Sequence, residues 1–166
     1  MSKSKKTIFH SSKVHLIDAR ILSFSIGGED EFYITPEERV GVGFRVKSEE
    51  FFDAGQKLAR IILNVQADIQ FEDDDGNELK SVTAIGKFRL GFSFLVDNFE
   101  ELVLTSEKEE TSPSIDGTLI THLLAIAYST SRGMILVKTM GTYLEGAILP
   151  IIDPSELLNK HIQPQA

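Results

Sequence analysis

Few side chains in this sequence are spaced to do chemistry. The four histidines, His10, His15, His122 and His161, are scattered without the spacing of a metal cage, and His122 falls in an apolar helical stretch, so structural roles fit them best. The acidic run Glu72-Asp73-Asp74-Asp75 invites a calcium reading, yet it lacks the loop spacing of a calcium hand and sits at the tip of an expected hairpin. Gly41 and Gly43 lie inside a strand pattern and Gly27-Gly28 in a turn, so neither pair makes a phosphate loop. No serine stands in a nucleophile elbow. With no cysteine, thiol nucleophiles, disulfides and thiolate metal sites are excluded. These residues support no enzyme, and neither a cofactor nor a metal is expected.

What the chain offers instead is apolar side chains in unusual places. Phe51, Phe52, Tyr128, Tyr143, Leu144, Ile148, Leu149, Ile151 and Ile152 fall in connections or near helix ends. Some must close the core, and any left exposed together would form a binding patch. The 166 residues favour one domain, able to bury a core without staples. A net charge of -8 and a pI near 5.0 argue against nucleic acid or an anionic membrane as the main partner. Met1 to Lys13 is basic but has no apolar run behind it, which reads as neither signal peptide nor membrane anchor. No stretch approaches the ~20 apolar residues that span a bilayer. The expectation is a cytoplasmic protein with a flexible tail over 1–13, a single domain over 14–162 and a short polar tail over 163–166.

The elements that must position these side chains follow from periodicity. Val14 to Ile26 is strand-like with a change of phase. Ile17, Ala19 and Ile21 share one face and Leu22, Phe24 and Ile26 the other, the mark of a β-bulge. Val40, Val42, Phe44 and Val46 alternate strictly, and Ser48 to Gly55 reads as a connection carrying Phe51 and Phe52. Ile61, Leu63, Val65, Ala67, Ile69 and Phe71, then Val82, Ala84, Phe88, Leu90, Phe92, Phe94 and Val96, alternate on either side of an Asp-Gly turn and predict a long hairpin. One apolar and one polar face imply an antiparallel sheet with one side wet. Asp97 to Pro113 is an acidic link with a turn of helix near Phe99 to Leu102.

From Thr118 to Thr142 the spacing predicts a long helix, with Asp116 as cap and a break at Arg132-Gly133. Ile120, Leu124, Ala127 and Met134 fall on one side, and Leu119, Leu123, Ile126, Val137 and Met140 on another. A helix apolar on several sides is either sunk in the core or covered on its second side by another copy of the chain. Asp153-Pro154-Ser155-Glu156 caps a last helix to about His161. The order, four strands and then two helices, predicts an α+β fold: one sheet with helices on one face.

This element order, with Ile115-Asp116-Gly117-Thr118 and Thr121-His122-Leu123-Leu124 opening the helix, then Gly141-Thr142-Tyr143 and Leu149-Pro150-Ile151-Ile152-Asp153, resembles the SecB family of protein-export chaperones. The likeness is one of element order from Lys13 onward. At the level of residues it concentrates between Ile115 and Leu158 and touches Leu22-Ser23-Phe24. The resemblance implies a SecB-like fold: a four-stranded antiparallel sheet, a long helix, a crossover segment and a short C-terminal helix. It also implies a homotetramer, a dimer of dimers, with Leu119, Leu123, Ile126, Met134 and Val137 at the interface. By the same resemblance the protein would be an ATP-independent holdase, holding unfolded preproteins or an antitoxin-type client in apolar grooves. Tyr143, Leu144, Ile148, Leu149, Ile151 and Ile152 would line the groove, joined by Phe44, Phe51 and Phe52. Glu72, Asp73, Asp74 and Asp75 would be contacts for a SecA-type motor. Two departures stand out: Ser129 to Gly133 replaces the family's proline-containing break, and Ile21 and Ser25 stand where the family has acidic motor contacts. The alternative from another class is a carrier of a small apolar ligand or lipid between sheet and helix, and a purely structural subunit is a third.

Overall fold

The computed structural model describes residues 10–28, 39–72, 78–80, 84–104 and 114–159. Five strands, β1 (Val14–Gly28), β2 (Arg39–Asp53), β3 (Leu58–Glu72), β4 (Glu78–Lys80) and β5 (Ala84–Val96), form an antiparallel sheet. The order is β1-β5-β3-β2, and the short β4 pairs with the end of β3. β4 and β5 together replace the fourth expected strand. The first strand lies beside the last, so the long strands form a Greek key. The tip of the long hairpin, including Asp73, Asp74 and Asp75, lies outside the described residues, as do both chain ends; Ser11–Lys13, assigned to the tail, makes a 3-10 turn into β1.

Alternation decides the faces. Ala59, Ile61, Leu63, Val65, Ala67 and Ile69 of β3 are buried on one side with Phe88, Leu90, Phe92, Phe94 and Val96 of β5. Register sets them opposite one another, as in Leu63–Leu90 and Ile61–Phe92. The phase change in β1 is real and double: its pairing with β5 shifts between Leu16 and Asp18 and again between Ile21 and Ser23. β2 is longer than its alternation suggests. Ser48-Glu49-Glu50 interrupts the apolar pattern, but the ladder to β3 continues through Phe51–Arg60 and Phe52–Ala59. Phe51 and Phe52 are therefore strand residues on opposite faces, not part of a connection.

After β5, the 3-10 turn Phe99–Leu102 buries Phe99 and Leu102. A two-stranded pair, β6 (Val103–Leu104) with β7 (Ser114–Ile115), then leads into α1 (Gly117–Thr139), and α2 (Ser155–Asn159) follows later. The Asp116 side chain caps α1 by accepting from the N–H groups of Thr118 (2.8 Å) and Leu119 (3.3 Å). Leu119, Leu123, Leu124, Ala127, Tyr128, Ser131, Ile135 and Thr139 form one buried stripe. Leu119 and Leu123, expected at a subunit interface, are thus covered within the chain itself. At 3.6 residues per turn Leu119, Leu123, Ala127 and Leu124 succeed one another around a single arc of about 140°, so the sheet and its neighbours cover all four from one broad side.

The break expected at Arg132-Gly133 does not occur, and α1 runs through it to Thr139. Glycine costs about 1 kcal/mol there against alanine, but its neighbours are anchored. Ser131 Oγ donates to the Ala127 carbonyl at 2.8 Å and Arg132 Nε to the Leu149 carbonyl at 2.9 Å. In length and composition α1 would suit a bilayer, yet its buried stripe packs into the core that the sheet supplies. Asp116→Ala is expected to lower unfolding stability by about 1 kcal/mol, read as a lower urea midpoint with an unchanged slope.

Candidate functional site

The segment between α1 and α2 is irregular but closely determined. Gly141 (φ 72°) and Gly146 (φ 81°) adopt the left-handed region that glycine tolerates, and between them the chain ties itself. Thr142 Oγ1 donates to the Thr139 carbonyl at 2.7 Å and accepts from the Leu144 N–H at 3.2 Å, while the Gly141 N–H donates to Glu145 Oε2 at 3.1 Å. Leu144 points inward over Gly86, where a Cβ would run into its Cδ1, so a side chain at that strand position would displace Leu144.

Two side chains of α1 then fix the crossover. Tyr128 Oη donates to the Pro150 carbonyl and Arg132 Nε to the Leu149 carbonyl, both at 2.9 Å. These bonds satisfy carbonyls that no strand partner serves, and they set the direction of the neighbouring side chains. Ala147 and Leu149 are buried, whereas Tyr143, Ile148 and Ile151 are 48%, 51% and 84% exposed. Burial pushes the Tyr128 phenol above its usual range, Arg132 pulls it partly back and Glu156 pushes it up. Asp153 caps the start of α2 through the Ser155 N–H at 2.9 Å, and that bond holds its carboxyl below the usual range.

The nine residues expected to line a client groove therefore divide. Phe51, Tyr143, Ile148 and Ile151 are exposed; Phe44, Phe52 and Ile152 are half-buried against the core. Leu144 and Leu149 are buried outright, so they hold the crossover in place rather than face outward. Phe52 packs toward Phe99 at 6.1 Å between ring centres. Phe51 alternates to the opposite face of the sheet from Phe44 and Phe52, and a groove of about 260 Å³ beside it is lined by Gln56, Arg60 and also Phe52. Of the expected motor contacts, only the backbone of Glu72 is described.

A second apolar surface joins strand β1, which was not expected to form part of a site, to Met134 and Val137 of α1, which were expected at a subunit interface. β1 pairs only with β5 among the described strands, and Leu16, Ile17, Leu22 and Phe24 along it are 41% to 56% exposed. Beside it, Ile21, Gly133, Met134, Val137 and Lys138 line a shallow groove of about 400 Å³, with Lys138 Nζ 4.0 Å from the centre of the Phe24 ring. Val137 and Met140 are 69% and 66% exposed, while Ile126 and Met134 are half-buried. The signal in the sequence was the phase change itself, since a bulged strand shows apolar residues to both sides. Among the described residues, no three histidine, aspartate or glutamate side chains gather into a cation site.

The sequence matches no protein-family model and no curated protein. A SecB-like chaperone from Mycobacterium tuberculosis, solved in complex with a ChAD peptide from the HigA1 antitoxin, aligns with 85% of this chain and 91% of its own. The TM-score is 0.57 and the identity 13%. The fold is SecB-like. A protein of unknown function from Streptococcus agalactiae also aligns, over 83% of this chain and 97% of its own, at a TM-score of 0.36 and 14% identity. The SecB-like fold accounts for the element order found here: a Greek-key sheet, a long helix, a crossover and a short final helix.

Removing the Tyr128 hydroxyl tests how the crossover is held. Tyr128→Phe is expected to cost about 1 kcal/mol at neutral pH by leaving the Pro150 carbonyl unserved. Because the folded-state pKa is raised above the ordinary phenol value of 10.0, the neutral phenol's contribution is complete below that value. It disappears as pH rises through the higher folded value. Urea titrations of the two proteins should therefore converge above about pH 10.

Proposed function

We propose that this protein is a chaperone of the holdase type, binding unfolded polypeptide without a nucleotide or metal. One observation carries the reading: in a SecB-like fold, Tyr143, Ile148 and Ile151 are turned outward by a crossover that two α1 side chains pin in place. Apolar side chains so held bind apolar segments of unfolded chains with little sequence preference, and lose little further conformational freedom in doing so. The antitoxin peptide bound to the Mycobacterium tuberculosis protein supports a polypeptide client over a small apolar ligand. So does the space between sheet and helix, which Ile61, Leu90, Phe92, Leu119 and Leu123 fill without exposure. An antitoxin-type client is the nearer analogy; preproteins, with a SecA-type motor to receive them, are the alternative client class.

The proposal includes assembly into a homo-oligomer in the cytoplasm, a dimer of dimers. The edge of β1 that pairs with no described strand and the outer side of α1, with Ile126, Met134, Val137 and Met140, are the surfaces a second copy would cover. An exposed apolar edge strand is otherwise an aggregation hazard. Several copies would also give one client several grooves, adding avidity without new contacts.

Light-scattering mass on a sizing column, with and without a slowly folding client, tests both parts. A tetramer-sized peak that gains client mass is the expected result, and a monomer that ignores the client would sink the reading. Ile148→Asp with Ile151→Asp should weaken capture roughly tenfold, since each loses apolar burial against the client, with the far-ultraviolet spectrum unchanged. Leu149→Asp, which places a charge in the core, should instead cost several kcal/mol of stability.

A further inference from the structure

The wet face of the sheet carries an ordered set of cations. Register aligns Ser25, Lys87, Gln66 and Arg45 in one row across β1, β5, β3 and β2, and Ser23, Arg89, Asn64 and Lys47 in the next. In both rows a serine, a cation, an amide and a cation follow one another. These side chains surround an open groove of about 590 Å³. Within a row the two cations stand two strands apart, about 9.5 Å, and the rows are two residues apart along the strand, about 6.8 Å.

Two carboxylates at the margin of the groove are already engaged. Asp68 accepts from Arg45 and from Gln66 Nε2 (2.9 Å), and Glu49 accepts from Asn64 Nδ2 (2.6 Å) with Arg89 Nη2 at 3.7 Å. Lys47 and Lys87 form no ion pair with a described residue, and both are exposed. Four lining cations against two carboxylates at the margin leave the groove positive on a chain whose net charge is -8.

We propose that this groove docks an acidic polypeptide segment in extended conformation, at a site separate from the apolar crossover. Alternate residues of an extended chain lie about 6.8 Å apart on one side, which is the spacing of the two rows. Carboxylates at alternate positions of a segment running along β3 would each fall between two cations. Asn64 and Gln66 beneath them would bound the floor. A polynucleotide fits less well, because its continuous charge would run past the cations to Glu49 and Asp68 at the groove's margin and to an acidic molecule beyond.

The test is fluorescence anisotropy with a fluorescein-labelled peptide of alternating Glu and Thr, alongside a single-stranded DNA of equal length carrying the same label. Saturable peptide binding that falls as salt is raised is expected. Lys47→Gln with Lys87→Gln should weaken it about tenfold, the sum of two exposed charge contacts. Both side chains are exposed, so the urea midpoint and capture of an unfolded client should not move. Absence of peptide binding, binding indifferent to the double substitution, or tighter binding of the DNA would each overturn the proposal.

Discussion

One helix about 10 Å across can cover only about two strands spaced 4.8 Å apart, and the rest of the molecule follows from that limit. α1 lies over the central pair, β3 and β5, whose inward residues from Ala59 to Ile69 and from Phe88 to Val96 are 0% to 2% exposed. The inward faces of the outer strands are left partly open. On the β2 side the crossover and α2 complete the cover, and Phe44, Phe52, Ile152 and Leu158 pack there at the margin of the core. The β1 side has no such element among the described residues. Leu16 and Phe24, both on the inward side by register, remain 41% and 48% exposed.

The crossover meets a different demand. It leaves α1 through two left-handed glycines, and Pro150 lies within it, so it joins no ladder and its carbonyls need side-chain donors. Tyr128 and Arg132 supply them from successive turns of α1. The same arrangement sinks Leu144 and Leu149 and turns Tyr143, Ile148 and Ile151 to the outside. Apolar exposure here results from the way the segment is anchored, which separates it from the scattered exposed apolar residues of any protein surface.

Much of this was legible in the residues. Strict alternation over Ile61 to Val96 specified two long strands and their inward face, and the two-phase pattern of Val14 to Ile26 marked the bulge in β1, though not its place at the end of the strand order. Asp116 and Asp153 marked helix starts that the structure confirms. Two features were hidden for physical reasons. Ser48-Glu49-Glu50 breaks the apolar alternation of β2, but strand pairing depends on backbone groups, so the ladder ran on and carried Phe51 and Phe52 to opposite faces. In α1, a stripe of small and large residues left the orientation open until the sheet chose it, and Leu119 and Leu123 went inward. Candidate site residues were harder still to sort. Ile148 and Leu149 are nearly alike in size and polarity, and only the anchored backbone of the crossover decides that Ile148 faces out and Leu149 in.

The cation rows on the wet face show a further limit of reading along a chain. Arg45 and Lys47, Asn64 and Gln66, Lys87 and Arg89 each look like ordinary polar alternates within their own strand. Only the register of three ladders brings them into a grid. That register is itself set by the buried side, since slipping any strand by one residue would turn its apolar set to solvent. The packing of Val65 against Phe88 and of Leu63 against Leu90 therefore also fixes Lys47, Lys87 and their partners on the opposite face. Core packing and surface charge are two sides of one alignment, and a change that shifts the first cannot leave the second in place.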